Sequence, residues 1–217
     1  VTLTLAIADR AEATDLRALA ALVLQPWCDA TTGTAADVTL KLDPGLAKAA
    51  SQCPAAPMGI EYYELTIGRN ITLAAPAAAG LRMGLQTLKQ ILENGQRAGF
   101  IPQAQISDWP RIGMRGIHVD LAREMEYRPA HLRRVVENLA YLHMNTLHLY
   151  LENKFVFPSA PDVAPPNVMT PAQAQALCAY ARRLGILVIP QIATMGHMEH
   201  FLNGPYAEMR EDPKNSF

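Results

Sequence analysis

Arg115-Gly-Ile-His-Val-Asp120 is a short, mostly apolar run that closes on a carboxylate, and two later stretches repeat the design: Thr146-Leu-His-Leu-Tyr-Leu-Glu152 and Ile186-Leu-Val-Ile-Pro-Gln191. Each reads as a buried β-strand ending in a polar residue, with amphipathic helical patterns between them. Period-2 alternation puts Ile117, Val119 and Leu121 against the helices and leaves His118 and Asp120 on the opposite face. In the same way Leu147, Leu149 and Leu151 oppose His148, Tyr150 and Glu152, while Val188 and Ile192 oppose Gln191. A parallel sheet is ordinarily apolar on both faces. Polar groups that line one face and gather at the C-terminal strand ends are expected at the active-site mouth of a (β/α)8 barrel. The predicted fold class is α/β: a small α+β domain followed by the first three βα units of a TIM barrel.

Upstream, the texture differs. Val1–Ile7 alternates like a strand, and Ala13–Cys28 carries Leu16, Leu19, Leu22 and Val23 at helical spacing. Asp37–Leu42 is a second strand. Tyr62–Ile67 and Ile71–Ala74 form a predicted hairpin across Gly68-Arg-Asn70, where Gly and Asn tolerate positive φ. Ala77–Leu92 is a helix with Leu81, Leu85, Leu88, Ile91 and Leu92 on one stripe. Residues 1–100 are therefore assigned to the small α+β domain, 101–112 to a connector rich in proline and polar residues, and 113–217 to the barrel part. Nothing in the small domain has the look of a catalytic cluster.

Within the barrel part, the first helix begins near Pro129 and buries Leu132, Val135, Val136 and Leu139. The second begins at Thr170-Pro171-Ala-Gln173, an N-cap threonine with Pro at the first position and Gln three residues on. Gly185 is its expected stop. A full barrel takes about 250 residues and eight strands, and residues 113–217 supply three. The tail, 203–217, is polar and reads as no fourth strand. The expectation is an N-terminal portion of a larger protein, completed by the remainder of the barrel or by a partner chain.

Half of the 217 residues are hydrophobic and the net charge is -1, which gives no electrostatic case for nucleic acid or a membrane surface. No window approaches the ~20 apolar residues of a membrane span. The start at Val1 shows no signal-peptide pattern, and its missing Met suggests a processed or excised chain, so the compartment stays open. Cys28, Cys53 and Cys178 have no metal-type spacing. Cys178 reads as a buried free thiol; whether Cys28 and Cys53 pair is left open.

The segment Ser107-Asp-Trp-Pro-Arg-Ile-Gly-Met-Arg-Gly-Ile-His-Val-Asp120 resembles the entry to the catalytic barrel of glycoside hydrolase family 20, the β-N-acetylhexosaminidases. Tyr63-Glu-Leu-Thr-Ile67 through Leu88 is similar to the small domain that precedes that barrel. Met144-Asn-Thr-Leu-His-Leu-Tyr-Leu-Glu152 and Ile189-Pro-Gln-Ile-Ala-Thr-Met-Gly-His197-Met resemble its second and third strands, in wording closer to the hexosaminidase D-like branch. The resemblance implies substrate-assisted, retaining hydrolysis of terminal N-acetylhexosamine without a cofactor. In that chemistry the 2-acetamido oxygen of the substrate attacks its own anomeric carbon, an exception to the two-carboxylate scheme. It also implies an Asp-Glu catalytic pair at the end of a fourth strand, after Phe217, so that no catalytic residue is assigned here. Glu211-Asp212, in reverse order in a polar tail, is not given that role.

The same resemblance assigns substrate-binding roles. Arg115 matches an arginine that holds hydroxyls of the terminal sugar, its fork of donors suiting paired hydroxyls; the bland alternative is an ion pair with a carboxylate. Asp120 is either a partner for Arg115 or Arg123, or a sugar contact. Glu152 and Asn153 stand where much of the family has a sugar-contacting Asp pair, and His197 matches a histidine that orients the catalytic pair. Gln191 replaces a residue commonly acidic in the family.

Other signals are weaker. His197-Met-Glu199-His200 has the wrong spacing for a zinc helix, and His118, His131, His143 and His148 form no ligand cluster in sequence. No metal is assigned. Trp27 and Trp109 could stack on sugars, but a lone Trp is more often packing, and Trp109 beside Pro110 is expected to pin the domain junction. The readings that survive are the front part of a hexosaminidase, a non-catalytic carbohydrate-binding or scaffold relative of the same barrel, and a metal-dependent barrel hydrolase.

Overall fold

The structure is a computed structural model, and it describes residues 5–7, 13–25, 27, 38–52, 60–123, 128–212 and 214. Cys28 and Cys53 lie outside the described residues. The chain divides into two compact units, one of residues 1–115 with 140–144 and 183–185, the other of 116–139, 145–182 and 186–217.

In the first unit, strands β1 (Leu5–Ile7), β2 (Val38–Leu42), β3 (Tyr63–Ile67), β4 (Ile71–Ala75) and β5 (Ala104–Asp108) make one sheet in the order β1-β2-β4-β3-β5. β1, β2 and β4 run parallel, and β3 is antiparallel to both of its neighbours. Helices α1 (Ala13–Leu24), α2 (Ala47–Ser51) and α3 (Ala78–Ala98) complete it. Alternation decides the buried face: Val38, Leu40, Tyr63, Leu65 and Leu73 are each exposed by 1% or less, while Thr66, Thr72 and Lys41 face water. On α3, Leu81, Leu85, Leu88 and Leu92 form the stripe that meets them, and each such side chain contributes roughly 1.5–3 kcal/mol by leaving water. Gly84 permits the close approach, since a Cβ there would strike the Tyr63 ring and Leu73.

Several expectations need correction. The stretch assigned to a connector contains β5, paired with β3 from Tyr63↔Asp108 to Ile67↔Ala104. As an edge strand it half-buries Ala104, Ile106 and Asp108 and exposes Gln105 and Ser107, so its polar texture disguised it. α3 runs past Leu92 to Ala98 and ends on Gly99 at φ 80, because its last turn needs no apolar stripe. The β3–β4 hairpin forms as expected, yet none of residues 68–70 adopts positive φ. Leu22 is 43% exposed, off the stripe made by Leu16, Leu19 and Val23.

The second unit is a three-stranded parallel sheet in the order β6-β7-β8, from β6 (Gly116–Asp120), β7 (Thr146–Tyr150) and β8 (Leu187–Gln191). The register aligns Ile117, Leu147 and Val188, and Asp120, Tyr150 and Gln191. Helix α4 (Pro129–Tyr141) follows β6 and α5 (Pro171–Arg183) follows β7; the four-residue α6 (Glu199–Leu202) comes after β8. Leu132, Val136, Leu139, Leu147 and Met169 are buried at 3% exposure or less. The α5 cap is as read: the Gln173 amide donates to Thr170 Oγ1, and the Thr170 amide donates to Gln173 Oε1 at 2.9 Å. Gly185 sits at φ 79 just past the helix.

The sorting of faces holds for β7 and fails at the margins. Ile117 in β6 and Ile192 just past β8, both expected against the helices, are 39% and 40% exposed; a strand with a neighbour on one side only cannot cover them. Tyr150 and Glu152, placed on the polar face, are nonetheless buried. Cys178 is exposed rather than buried, because α5 turns Leu177 and Ala181 inward. Among the described residues of the tail there is a single turn of 3-10 helix, Ala207–Met209, and no strand. No described helix is long and apolar enough to cross a membrane.

Candidate functional site

Asp120 is the last residue of β6, and it caps its own strand. Its Oδ1 accepts the Ala122 amide at 2.8 Å and the Arg123 amide at 3.4 Å, which turns the chain so that the Arg123 guanidinium meets Oδ2. Burial acts to raise the Asp120 carboxyl, but the Arg123 guanidinium and the Ala122 amide outweigh it and hold it below the usual value. Arg123 also lies over the Tyr150 ring, 5.4 Å from its centroid, and 3.9 Å from Glu152 Oε1.

Glu152 is where the side chains converge. It follows β7 at φ 43, its side chain is 9% exposed, and three groups approach it: Arg123, His197 Nδ1 at 3.9 Å and His200 Nε2 at 3.8 Å. His197, on the loop after β8, is also left-handed, at φ 54. A residue with a Cβ in that region costs of order 1–3 kcal/mol and persists where the surroundings impose it, often at functional sites. Next to Glu152, Asn153 is 6% exposed with Oδ1 buried and no hydrogen-bond partner. Gln191 ends β8 opposite Tyr150, and its carbonyl accepts the Leu151 amide at 3.0 Å.

Four of the five residues expected to bind substrate thus collect at the C-terminal ends of the strands: Asp120, Glu152, Asn153 and His197. Arg115 does not join them. It precedes the first residue of β6, while Asp120 is the last, a separation of about 16 Å at the usual strand rise. Its guanidinium is committed elsewhere: Nη2 to Glu61 Oε2 at 2.9 Å, Nη1 to the carbonyls of Ile112 and Gly113, and Nε to the His143 carbonyl at 2.8 Å. This is the ion-pair alternative. The arginine at the strand's far end is Arg123, read from sequence only as a partner for Asp120. The signal for it was its position three residues past a strand-ending carboxylate.

Around Arg115, Glu61, Tyr63, Asp108, Trp109 and His143 line a cavity of about 150 Å³. The Tyr63 hydroxyl bonds Thr87 Oγ1 at 2.6 Å and Asp108 Oδ2 at 3.1 Å, and Thr87 reaches His143 Nε2 at 3.2 Å. Burial pushes the Tyr63 hydroxyl up and the His143 imidazole down. Trp109 packs on Tyr62, with ring centroids 6.2 Å apart. Among the described residues, no group of three or more His, Cys, Asp or Glu is placed to hold a metal ion. Glu211 and Asp212 are exposed in the tail.

Comparison with known proteins bears on both units. Residues 2–109 match the model "Glycosyl hydrolase family 20, domain 2", and residues 113–216 match "Glycosyl hydrolase family 20, catalytic domain". A β-N-acetylhexosaminidase of Cellulomonas fimi is 31% identical over 160 residues, 65% of this chain and 32% of that protein. A β-hexosaminidase of Akkermansia muciniphila is 33% identical over 176 residues, 71% of this chain and 35% of that protein. Among solved structures, the Streptomyces plicatus N-acetyl-β-hexosaminidase in complex with Thio-NAglucal superimposes with a TM-score of 0.79 at 24% identity, covering 97% of this chain and 45% of its own. The chain spans about a third of the length of these curated relatives and just under half of that structure.

Proposed function

The chain belongs to glycosyl hydrolase family 20, and from that footing we propose that it is the front part of a retaining β-N-acetylhexosaminidase acting on terminal GlcNAc or GalNAc. The observation that supports this reading is the cluster of Arg123, Glu152 and His197 at the C-terminal strand ends of the segment matched to the catalytic domain. Residues 1–112 are the accessory domain, with β5 as its last strand, and the barrel starts at 113.

In the chemistry proposed, the acetamido carbonyl oxygen of the substrate bonds to its own anomeric carbon as the bond to the leaving oxygen breaks. A Glu protonates that oxygen, and an Asp beside it orients the acetamido group. Water then opens the oxazolinium ring with net retention. We place the Asp-Glu pair on the strand after β8. The residues present bind and orient: Arg123 offers guanidinium donors to adjacent hydroxyls, fixed by Asp120 behind it. Glu152 steadies Arg123 and His197, with Asn153 buried beside it. Arg115 is a structural residue rather than a sugar ligand.

The test is hydrolysis of a chromogenic β-N-acetylglucosaminide by the full-length protein, with and without a thiazoline mimic of the oxazolinium. Thiazoline-blocked activity supports the reading. Activity indifferent to thiazoline overturns the substrate-assisted step, and no activity on either GlcNAc or GalNAc glycosides leaves a carbohydrate-binding relative.

A further inference from the structure

Arg123 has the exposure of a surface side chain without its freedom. The side chain is 57% exposed, and an arginine open to water samples many rotamers. A fork that meets two sugar hydroxyls gains affinity when it is held in one plane before the sugar arrives. Asp120 anchors it through Nη1. Glu152 Oε1 stands 3.9 Å from Nη2, beyond hydrogen-bond reach. One anchored nitrogen fixes where the guanidinium sits and leaves its plane to be set by something else.

Tyr150 supplies that surface. The parallel register sets Tyr150 directly opposite Asp120, about 4.8 Å away across neighbouring strands. The arginine that folds back on Asp120 is thereby carried over the Tyr150 ring, 5.4 Å from its centroid. A cation within about 6 Å of a ring face is attracted to it, and more strongly once a ligand excludes water. The hydroxyl end of the ring lies in the same field: burial and the Glu152 carboxylate push it up, and Arg123 opposes them.

Packing alone does not account for a tyrosine here. Its side chain alternates away from Leu147, Leu149 and Leu151. On its own side the ring meets the Arg123 guanidinium and the tilted imidazole of His118, whose centroid is 5.9 Å away. Tyr150 is 6% exposed. A leucine could fill buried space, but it offers no π face to a cation.

We propose that Tyr150 is a positioning residue that sets the plane of the Arg123 guanidinium for the hydroxyls of the terminal sugar, acting through its ring and not through its hydroxyl. This rests on the reading of Arg123 given above and adds the group that orients it. Tyr150 acts on the sugar only by way of the arginine.

The experiment is a double-mutant cycle on the full-length protein, read as the Kd of the methyl thioglycoside of N-acetylglucosamine, which resists hydrolysis. Tyr150→Leu is expected to weaken binding about fivefold or more. Tyr150→Phe, which keeps the ring, should stay within about twofold of the parent. With Arg123→Ala already in place, Tyr150→Leu should change the Kd by less than about twofold, because no guanidinium is left to orient. A ring that merely props the fold would weaken binding equally in both backgrounds. Tyr150→Met, whose flexible side chain fills irregular space, is the second variant, and thermal melting checks that each protein is folded. Equal Kd for the parent and both ring-less variants, equal losses with and without Arg123, a Tyr150→Phe as weak as Tyr150→Leu, or no binding by the parent would overturn the role. The catalytic reading is judged separately, by turnover of the chromogenic glycoside. Hydrolysis with additive losses removes only the role of Tyr150, and coupled losses without hydrolysis remove only the catalysis.

Discussion

Two arginines eight positions apart do different work, and the difference lies in what surrounds each guanidinium. Arg115 is 17% exposed and satisfied by Glu61, itself 9% exposed, together with three backbone carbonyls. Truncating one partner of a buried ion pair strands the other, at a cost of roughly 3–5 kcal/mol. Arg115→Ala is therefore expected to lower the urea midpoint sharply, whereas Arg123→Ala, at an exposed side chain, should leave the midpoint nearly unchanged. His143 supplies a second expectation. Burial holds its imidazole below the ordinary value of 6.5, opposed by Asp108 and Glu61 and assisted by Arg115. A neutral His in the folded state contributes stability that is full above the unfolded value and lost as pH falls through 6.5 toward the lower folded value. Stability measured between pH 7 and 5 should fall less steeply in His143→Gln than in the parent, and an identical slope would remove His143 from that role. Which arginine is saturated could not be read from the chain, because Glu61 lies 54 positions from Arg115 and only the fold joins them. Glu152 and His197 were legible by position, but their left-handed backbones and mutual approach were not.

At the level of elements, legibility followed from local chemistry. The cap of α5 was written in Thr170-Pro171 and Gln173, and its reciprocal hydrogen bonds form; Thr170→Ala is expected to cost about 1 kcal/mol in a denaturant melt. The stripe on α3 was equally plain, because a 3.6-residue period survives in sequence. Leu85 is wholly buried on that stripe, so Leu85→Ala should cost about 2–5 kcal/mol, the spread reflecting how far the site can close around the cavity. By contrast β5 was invisible, since an edge strand with one half-buried face carries a weak pattern. Cys178 was misread because a helix turns each successive residue by about 100°, and its apolar neighbours in sequence are not its neighbours on the buried face.

For the molecule as a whole, each of the two units has its own sheet and its own buried leucines, and each matches a different domain of one family. The first unit offers a one-sided sheet under helices and a closed polar network; the second offers strand ends that gather a guanidinium, a buried carboxylate and two imidazoles. Function is expected at the second, in keeping with the rule that barrel chemistry sits at the C-terminal ends of strands. The most direct measurement is kcat/KM of the full-length protein on a chromogenic β-N-acetylglucosaminide, for the parent and Arg123→Ala. The expected result is a loss of about tenfold or more with an unchanged melting temperature. Equal kcat/KM for the two proteins would contradict the placement of the sugar at the ends of β6 and β7.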